Sequence, residues 1–260
     1  MARGVFPFGE PVRPVVQTDR RPKSIFVLGV YASAVHARWV GPDGRTRVAA
    51  LAVASEPEIF WRGEGAAEIV AQIAIPPEAG RLVPAGATLN GPSGKALDDL
   101  YLSPLGRTRD DAWLSDLVPH AGRNPAQARA ITRAYDPLIE PLGLPPATFP
   151  PPPKTFADAA RCDAIVSEID ASDAAIILLL GDQPIRFFAH RFDRRWRRLS
   201  DFGDTPETYG RLHETTLGGR TRFWLPLAHP RQAGALGTHS ERWRALHQHW
   251  IEAVAPGLLD

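Results

Sequence analysis

The sequence is poor in the residues that staple small folds. It has one cysteine, Cys162, so no intramolecular disulfide can close, and a Cys-ligated zinc or iron–sulfur site is excluded. Lysine is almost as scarce: Lys23, Lys95 and Lys154 are the only three among 30 basic residues. An excess of Arg over Lys is what a GC-rich genome produces, so arginine carries functional meaning only where it clusters. Long apolar runs are missing too. The longest, residues 174–180, is far too short to span a membrane, and the first residues lack the apolar stretch of a signal peptide. Charge is nearly balanced, with a net +1, which argues against a protein that coats nucleic acid non-specifically. A soluble, cytoplasmic protein of bacterial type is expected, without membrane association.

What is present reads as an α/β protein. A chain of 260 residues hides roughly 70–75% of the surface that its unfolded form exposes, so its core needs no staple. Residues 1–23 lack periodicity and are expected to form an arm lying over the domain. Ser24 to Gly29 is a continuous apolar run ending in glycine, the pattern of a buried strand in a mostly parallel sheet. The residues that follow it would lie at the strand's carboxyl end, where open α/β sheets build their sites. Gly41-Pro42-Asp43-Gly44 predicts a hairpin between 37–40 and 45–53. Helices are expected over 65–74 and 95–102, and a second core strand over 112–118. Asn124-Pro125 caps a further helix. Residues 141–153 hold seven prolines, read as a stiff strap because strand–helix alternation continues beyond them. A helix over 155–169 with Cys162 as a packing residue, a strand over 174–181, a helical stretch over 184–198, a strand over 222–227 and a helix over 241–254 capped by Thr238 complete the chain. This order predicts one α/β domain over 1–260, three-layered, with a central, mostly parallel four-stranded sheet and helices on both faces. Residues 38–85 are expected as a β-hairpin and helix insertion.

Three strand ends carry unusual residues: Gly29-Val30-Tyr31-Ala32-Ser33, Asp116-Leu117-Val118-Pro119-His120 and His229-Pro230-Arg231-Gln232. Between them lie Gly86-Ala87-Thr88-Leu89-Asn90-Gly91-Pro92-Ser93-Gly94, Leu97-Asp98 and Leu105-Gly106 followed by Arg109. In this order the set resembles the uracil-DNA glycosylase superfamily. That family has a Gly-led loop after its first core strand, a three-glycine segment opening a helix, a strand ending in Asn and a His-Pro-Ser motif after the last strand. The resemblance implies an N-glycosidic hydrolase that extrudes a base from DNA, single- or double-stranded, into a pocket. His229 would hydrogen-bond the departing base, and Asp116 would read it or position water. Tyr31 would join them in the catalytic set, with Gly29, Val30, Ala32, Ser33, Leu89 and Asn90 lining the pocket. Gly91, Ser93, Gly94, Arg231, Gln232, Arg194, Arg195 and Arg198 would hold DNA. No metal or cofactor is implied, and a monomer is expected.

The departures from that pattern are as informative. The iron–sulfur cysteines are missing. Tyr31 or Ala32 stands where most of the family offers an Asp, Asn or Glu to hold water, and a phenol with a pKa near 10 is a poor base. Asp116, Asp182 and Asp98 are the candidates for that task. Leu89 replaces a ring-stacking Phe, and Phe6, Phe8, Trp39 or Trp61 could supply a ring instead. Asp116 replaces the base-reading Asn. A carboxylate accepts from an exocyclic amine, and a protonated one also donates to a ring nitrogen, which favours a cytosine-type or modified base over uracil. Arg186, Arg191, Arg194, Arg195, Arg197 and Arg198 cluster around Asp193 and form a candidate phosphate-binding patch. Two other readings remain open: a nucleic-acid-binding module that has lost the chemistry, and an unrelated α/β hydrolase acting on free nucleosides.

Overall fold

The computed structural model describes residues 4–86, 88–234 and 240–259. Its strands are β1 (Ile25–Tyr31), β2 (Ala34–Val40), β3 (Thr46–Ser55), β4 (Arg81–Pro84), β5 (Ala112–Val118), β6 (Ile176–Leu180), β7 (His213–Leu217) and β8 (Arg220–Leu227). The helices used below are α1 (Ala66–Ala71), α2 (Pro92–Leu97), α3 (Pro125–Ala130), α4 (Ala159–Ser172), α5 (Pro230–Ala233) and α6 (Glu241–Ala253). The cap expected at Thr238 lies outside the described residues. The chain divides into two compact units. The first takes in the described residues among 1–15, 31–94 and 119–154, the second those among 16–30, 95–118 and 155–260.

In the first unit, β2 pairs antiparallel with both β3 and β4, giving the order β3-β2-β4. The hairpin at 41–44 is the one its turn residues predict; β4, short and ending in proline, has no sequence signal of its own. An aromatic core holds the unit together. Phe8 meets Trp39 edge-on with ring centroids 5.3 Å apart and Tyr135 at 5.1 Å, and Phe6 lies 4.8 Å from Phe149. Tyr135 Oη accepts from the Phe8 N–H (2.9 Å) and donates to the Pro145 carbonyl (2.7 Å). The proline-rich segment is a strap within this unit, since Thr148 and Phe149 both donate to the Val5 carbonyl and Arg123 donates to that of Pro150. Asn124 caps α3 as expected, accepting from the Gln127 N–H at 3.0 Å. Phe6, Phe8, Trp39 and Trp61 are buried core residues here, which removes them as stacking surfaces for a base.

In the second unit the sheet has five strands rather than four, in the order β5-β1-β6-β8-β7. β1 runs parallel to β6, with Ile25 opposite Ile176, and β6 parallel to β8, with Ile176 opposite Phe223. Apart from their ends, β1 and β6 are buried, hence their unbroken apolar sequences. The strand that sequence reasoning missed is β7, antiparallel to β8 at the edge. Its residues, His213-Glu214-Thr215-Thr216-Leu217, are polar except the last and resemble no core strand. The signal was in the turn: Gly218 and Gly219 both have positive φ (61° and 74°), the geometry of a two-residue hairpin. The helical stretch expected over 184–198 ends near Phe192, where Asp193 turns extended (φ −135°), and resumes at Leu199–Phe202. Cys162 is buried on α4 beside Ile165 and Ile169, a packing residue. From β1 the chain goes to β5 on one side, then returns to β6 on the other. Such a reversal opens a crevice at the carboxyl ends of the two central strands. Among the described residues no helix is long and apolar enough to cross a membrane.

Candidate functional site

The crevice side of the second unit is where β1 delivers Gly29 and Val30, β6 delivers Gly181 and Asp182, and β8 delivers Ala228 and His229. Gly181 (φ 84°) donates to the Leu227 carbonyl at 2.8 Å, and a Cβ on it would stand 2.9 Å from His229 Cβ. Only glycine lets the two strand ends approach this closely. His229 caps the short α5: its Nδ1 accepts from the Arg231 N–H at 3.1 Å. That hydrogen bond assigns the ring proton to Nε2. Burial, and then the Arg231 charge, lower the imidazole pKa to about 4, so at neutral pH the ring is uncharged and offers an Nε2–H donor. Among the described residues nothing hydrogen-bonds Nε2. Gln232 is occupied locally, its Oε1 accepting from the His229 N–H at 3.1 Å, while Arg231 is exposed.

The peptide before His229 is clamped from both sides. Tyr101 Oη donates to the Ala228 carbonyl (2.6 Å), and the Ala228 N–H donates to Tyr209 Oη (2.8 Å). Tyr209 Oη and His247 Nδ1 are 2.8 Å apart, and His247 Nε2 is 2.9 Å from the Leu100 carbonyl. One proton arrangement satisfies the whole chain: His247 Nε2–H donates to Leu100, and Tyr209 O–H donates to Nδ1. Burial favours it, pushing both phenols up and the His247 imidazole down to about 4, so every member stays neutral. A fully satisfied buried network of this kind rigidifies what it holds, and here it holds the backbone that aims His229.

Asp116 is the fifth of seven residues of β5 and 4% exposed. Its neighbour Ser115 faces α4, where its Oγ donates to Glu168 (2.6 Å) and accepts from Arg161 (2.9 Å). Arg161 also pairs with Glu168 at 2.7 Å and donates to the Asp116 carbonyl at 2.6 Å. Strand alternation therefore turns the Asp116 side chain to the opposite face, away from this ion pair. Burial is the main cause that raises its carboxyl to about 7, opposed by the Arg161 charge and assisted by Glu168. Near neutrality the group is both an acid and an acceptor. Of the other acids considered, Asp98 pairs with Arg109 at 2.7 Å, and Asp182 Oδ1 accepts from the Leu199 N–H at 2.7 Å.

The remaining sequence candidates of the loops lie in the first unit. Tyr31 is 40% exposed and Ala32 is buried. Ser33 donates its N–H to Glu56 Oε2 at 3.2 Å. Glu56, buried just past β3, thus brings a carboxylate to the first loop, which lacks one in its own sequence. No spacing in the chain links positions 33 and 56; the β2–β3 pairing does. Asn90 is buried and grips the backbone of His36, accepting from its N–H (2.8 Å) and donating to its carbonyl (3.0 Å). Leu89 is 43% exposed. Gly91 and Gly94 lie against the backbone of 60–63, where any Cβ would collide with Arg62, Phe60 and Trp61. Their recurrence has a packing reason, and Ser93 is half-buried between them on the six-residue α2.

The arginine cluster is less positive than its sequence suggests. Arg195 makes a bidentate pair with Asp193 (Nη2 to Oδ2, 2.6 Å), Arg198 pairs with Asp201 at 3.1 Å, and Arg191 lies 3.7 Å from Asp163. Arg194 is exposed. No family model matches the chain, and neither does any curated protein.

Proposed function

We propose that this protein is a DNA glycosylase-like hydrolase that cleaves the N-glycosidic bond of an extruded base, with a cytosine-type or modified base favoured over uracil. The observation that carries the reading is the state of His229: a neutral imidazole whose Nε2–H is free, fixed by a buried clamp at the carboxyl edge of a parallel sheet. When the glycosidic bond breaks, the electron pair goes to the base and negative charge grows on its carbonyl oxygen. A preorganised donor there stabilises the transition state, and losing one such donor typically costs ~10²–10³ in rate.

The base preference rests on Asp116. With its pKa near 7, the protonated carboxyl donates to a ring nitrogen while its carbonyl oxygen accepts from an exocyclic amine, the edge of cytosine. β5 and β8 are three strand spacings apart, roughly 14 Å, a gap that a pyrimidine hydrogen-bonded at each end bridges.

The test is base release, read by mass spectrometry, from DNAs carrying uracil, deaminated purines, cytosine and modified cytosines. The expected result is release of a cytosine-type base that falls ~10²–10³-fold in His229→Ala and declines as pH rises above 7. Preferential uracil release would refute the role given to Asp116. DNA binding without release of any base would leave a binding module that has kept the fold and lost the reaction.

A further inference from the structure

We propose that the cleft following β6, walled by Arg186, Arg197 and Arg198, seats one phosphodiester of a DNA strand. The cleft has a volume of about 490 Å³ and is lined by Asp182, Gln183, Arg186, His190, Arg197 and Arg198. It forms because the helical stretch that starts at Asp182 breaks at Asp193, and the turn brings 197–198 back to the start of that stretch. The Asp182–Leu199 hydrogen bond closes the loop.

Charge and hydrogen bonding define what fits. Three guanidiniums stand near two carboxylates, Asp182 and Asp201. Both carboxylates are engaged: Asp182 by the Leu199 N–H, and Asp201 by the N–H groups of Arg197 (2.8 Å) and Arg198 (3.2 Å) and by Arg198 Nε (3.1 Å). The Arg186 and Arg197 guanidiniums have no hydrogen bond or ion pair among the described residues; Arg186 lies over the Phe187 ring at 5.4 Å. One net positive charge remains, the complement of a phosphodiester monoanion, and two open guanidinium forks are suited to its two free oxygens. Gln183 Oε1 and His190 Nδ1, on the wall of the same cleft, are buried without partners. Buried polar atoms left open beside a cationic cleft are what a hydrated polar ligand satisfies. This selection differs from the sequence reading, which chose Arg194, Arg195 and Arg198; Arg195 is committed to Asp193.

Position gives the cleft its meaning. Asp182 follows Gly181, the residue packed against His229. A phosphate here would lie on the strand whose base meets His229. That placement rests on the glycosylase-like reading; the binding of a phosphodiester does not.

The experiment is fluorescence anisotropy of a labelled single-stranded oligodeoxynucleotide, titrated with the full chain between about 50 and 200 mM salt. Wild type, Arg186→Ala/Arg197→Ala and Arg194→Ala are compared, with circular dichroism melts as the folding control. Should the double variant melt early, the two single variants replace it. The double variant is expected to weaken binding about tenfold and to lower the salt slope by roughly 0.7, the increment of one neutralised phosphate on a single strand, while Arg194→Ala changes neither. Wild-type binding in the double variant, or an equal loss in Arg194→Ala, overturns the proposal. So does a result in which the double variant loses binding to phosphatidylglycerol vesicles but keeps DNA. Base release is measured on the same samples. Its absence in wild type, with the cleft variants still impaired in DNA binding, removes the glycosylase reading and spares the cleft; base release with unimpaired cleft variants does the reverse.

Discussion

Burial raises the Asp116 carboxyl from 3.8 to about 7, so the folded protein holds a proton that the unfolded chain has already lost. The stability associated with this group is full below about pH 4 and falls as pH rises through 7. Forcing the buried group to ionise costs on the order of 4 kcal/mol. Urea denaturation between pH 5 and pH 8.5 should show wild type losing stability relative to Asp116→Asn, with the variant the more stable at the alkaline end; parallel profiles would rule out a buried neutral acid. His229 and His247 act in the opposite sense. Their folded pKa values are lowered to about 4, so they weaken the fold as pH drops from about 6.5 towards 4. Asp116 and His229 could be singled out from the sequence because both stand at or near the ends of apolar strands. Glu56 could not, because only the β2–β3 hairpin brings it to Ser33. Asn90 could be noticed but not interpreted, since its partner His36 lies 54 positions away.

Between residue and fold, the short segments flanking the strand ends set the precision of the site. Tyr209→Phe deletes both the acceptor for the Ala228 N–H and the donor to His247 Nδ1. Each buried group left unsatisfied costs about 1–3 kcal/mol, so the melting temperature should drop. On the proposed glycosylase-like reading, base release should fall at unchanged DNA affinity, because the loss is of aim rather than contact. A variant with wild-type melting and turnover would mean the clamp is dispensable. Gly94→Ala tests a different element: its Cβ would meet the carbonyls of Phe60 and Trp61, and a destabilisation of about 1–3 kcal/mol or more is expected, read by thermal melts. At this scale the sequence was most readable where elements are buried. The inner strands announce themselves as continuous apolar runs because parallel strands are covered on both faces. β7, polar and at an edge, does not, and the helix expected over 184–198 hides a break at Asp193, whose side chain accepts from the Arg195 N–H at 3.0 Å, a turn that helical periodicity cannot reveal.

Across the whole molecule, neither unit is a continuous stretch of chain. The backbone passes from one to the other after residues 15, 30, 94, 118 and 154. The last crossing falls at the end of the proline-rich strap, but strand–helix alternation runs straight through that segment, so sequence reasoning could name the α/β class without seeing the division. The interleaving has a consequence for synthesis. β1 pairs with β6, about 150 residues later in the chain. A ribosome adding ~5–20 residues per second leaves the run Ile25-Phe26-Val27-Leu28 without that partner for roughly 8–30 s. During this interval a sticky strand edge faces the crowded space outside the exit tunnel, where another nascent chain can capture it. The yield of soluble protein should therefore rise when holding chaperones are supplied during translation, even though the finished fold needs none.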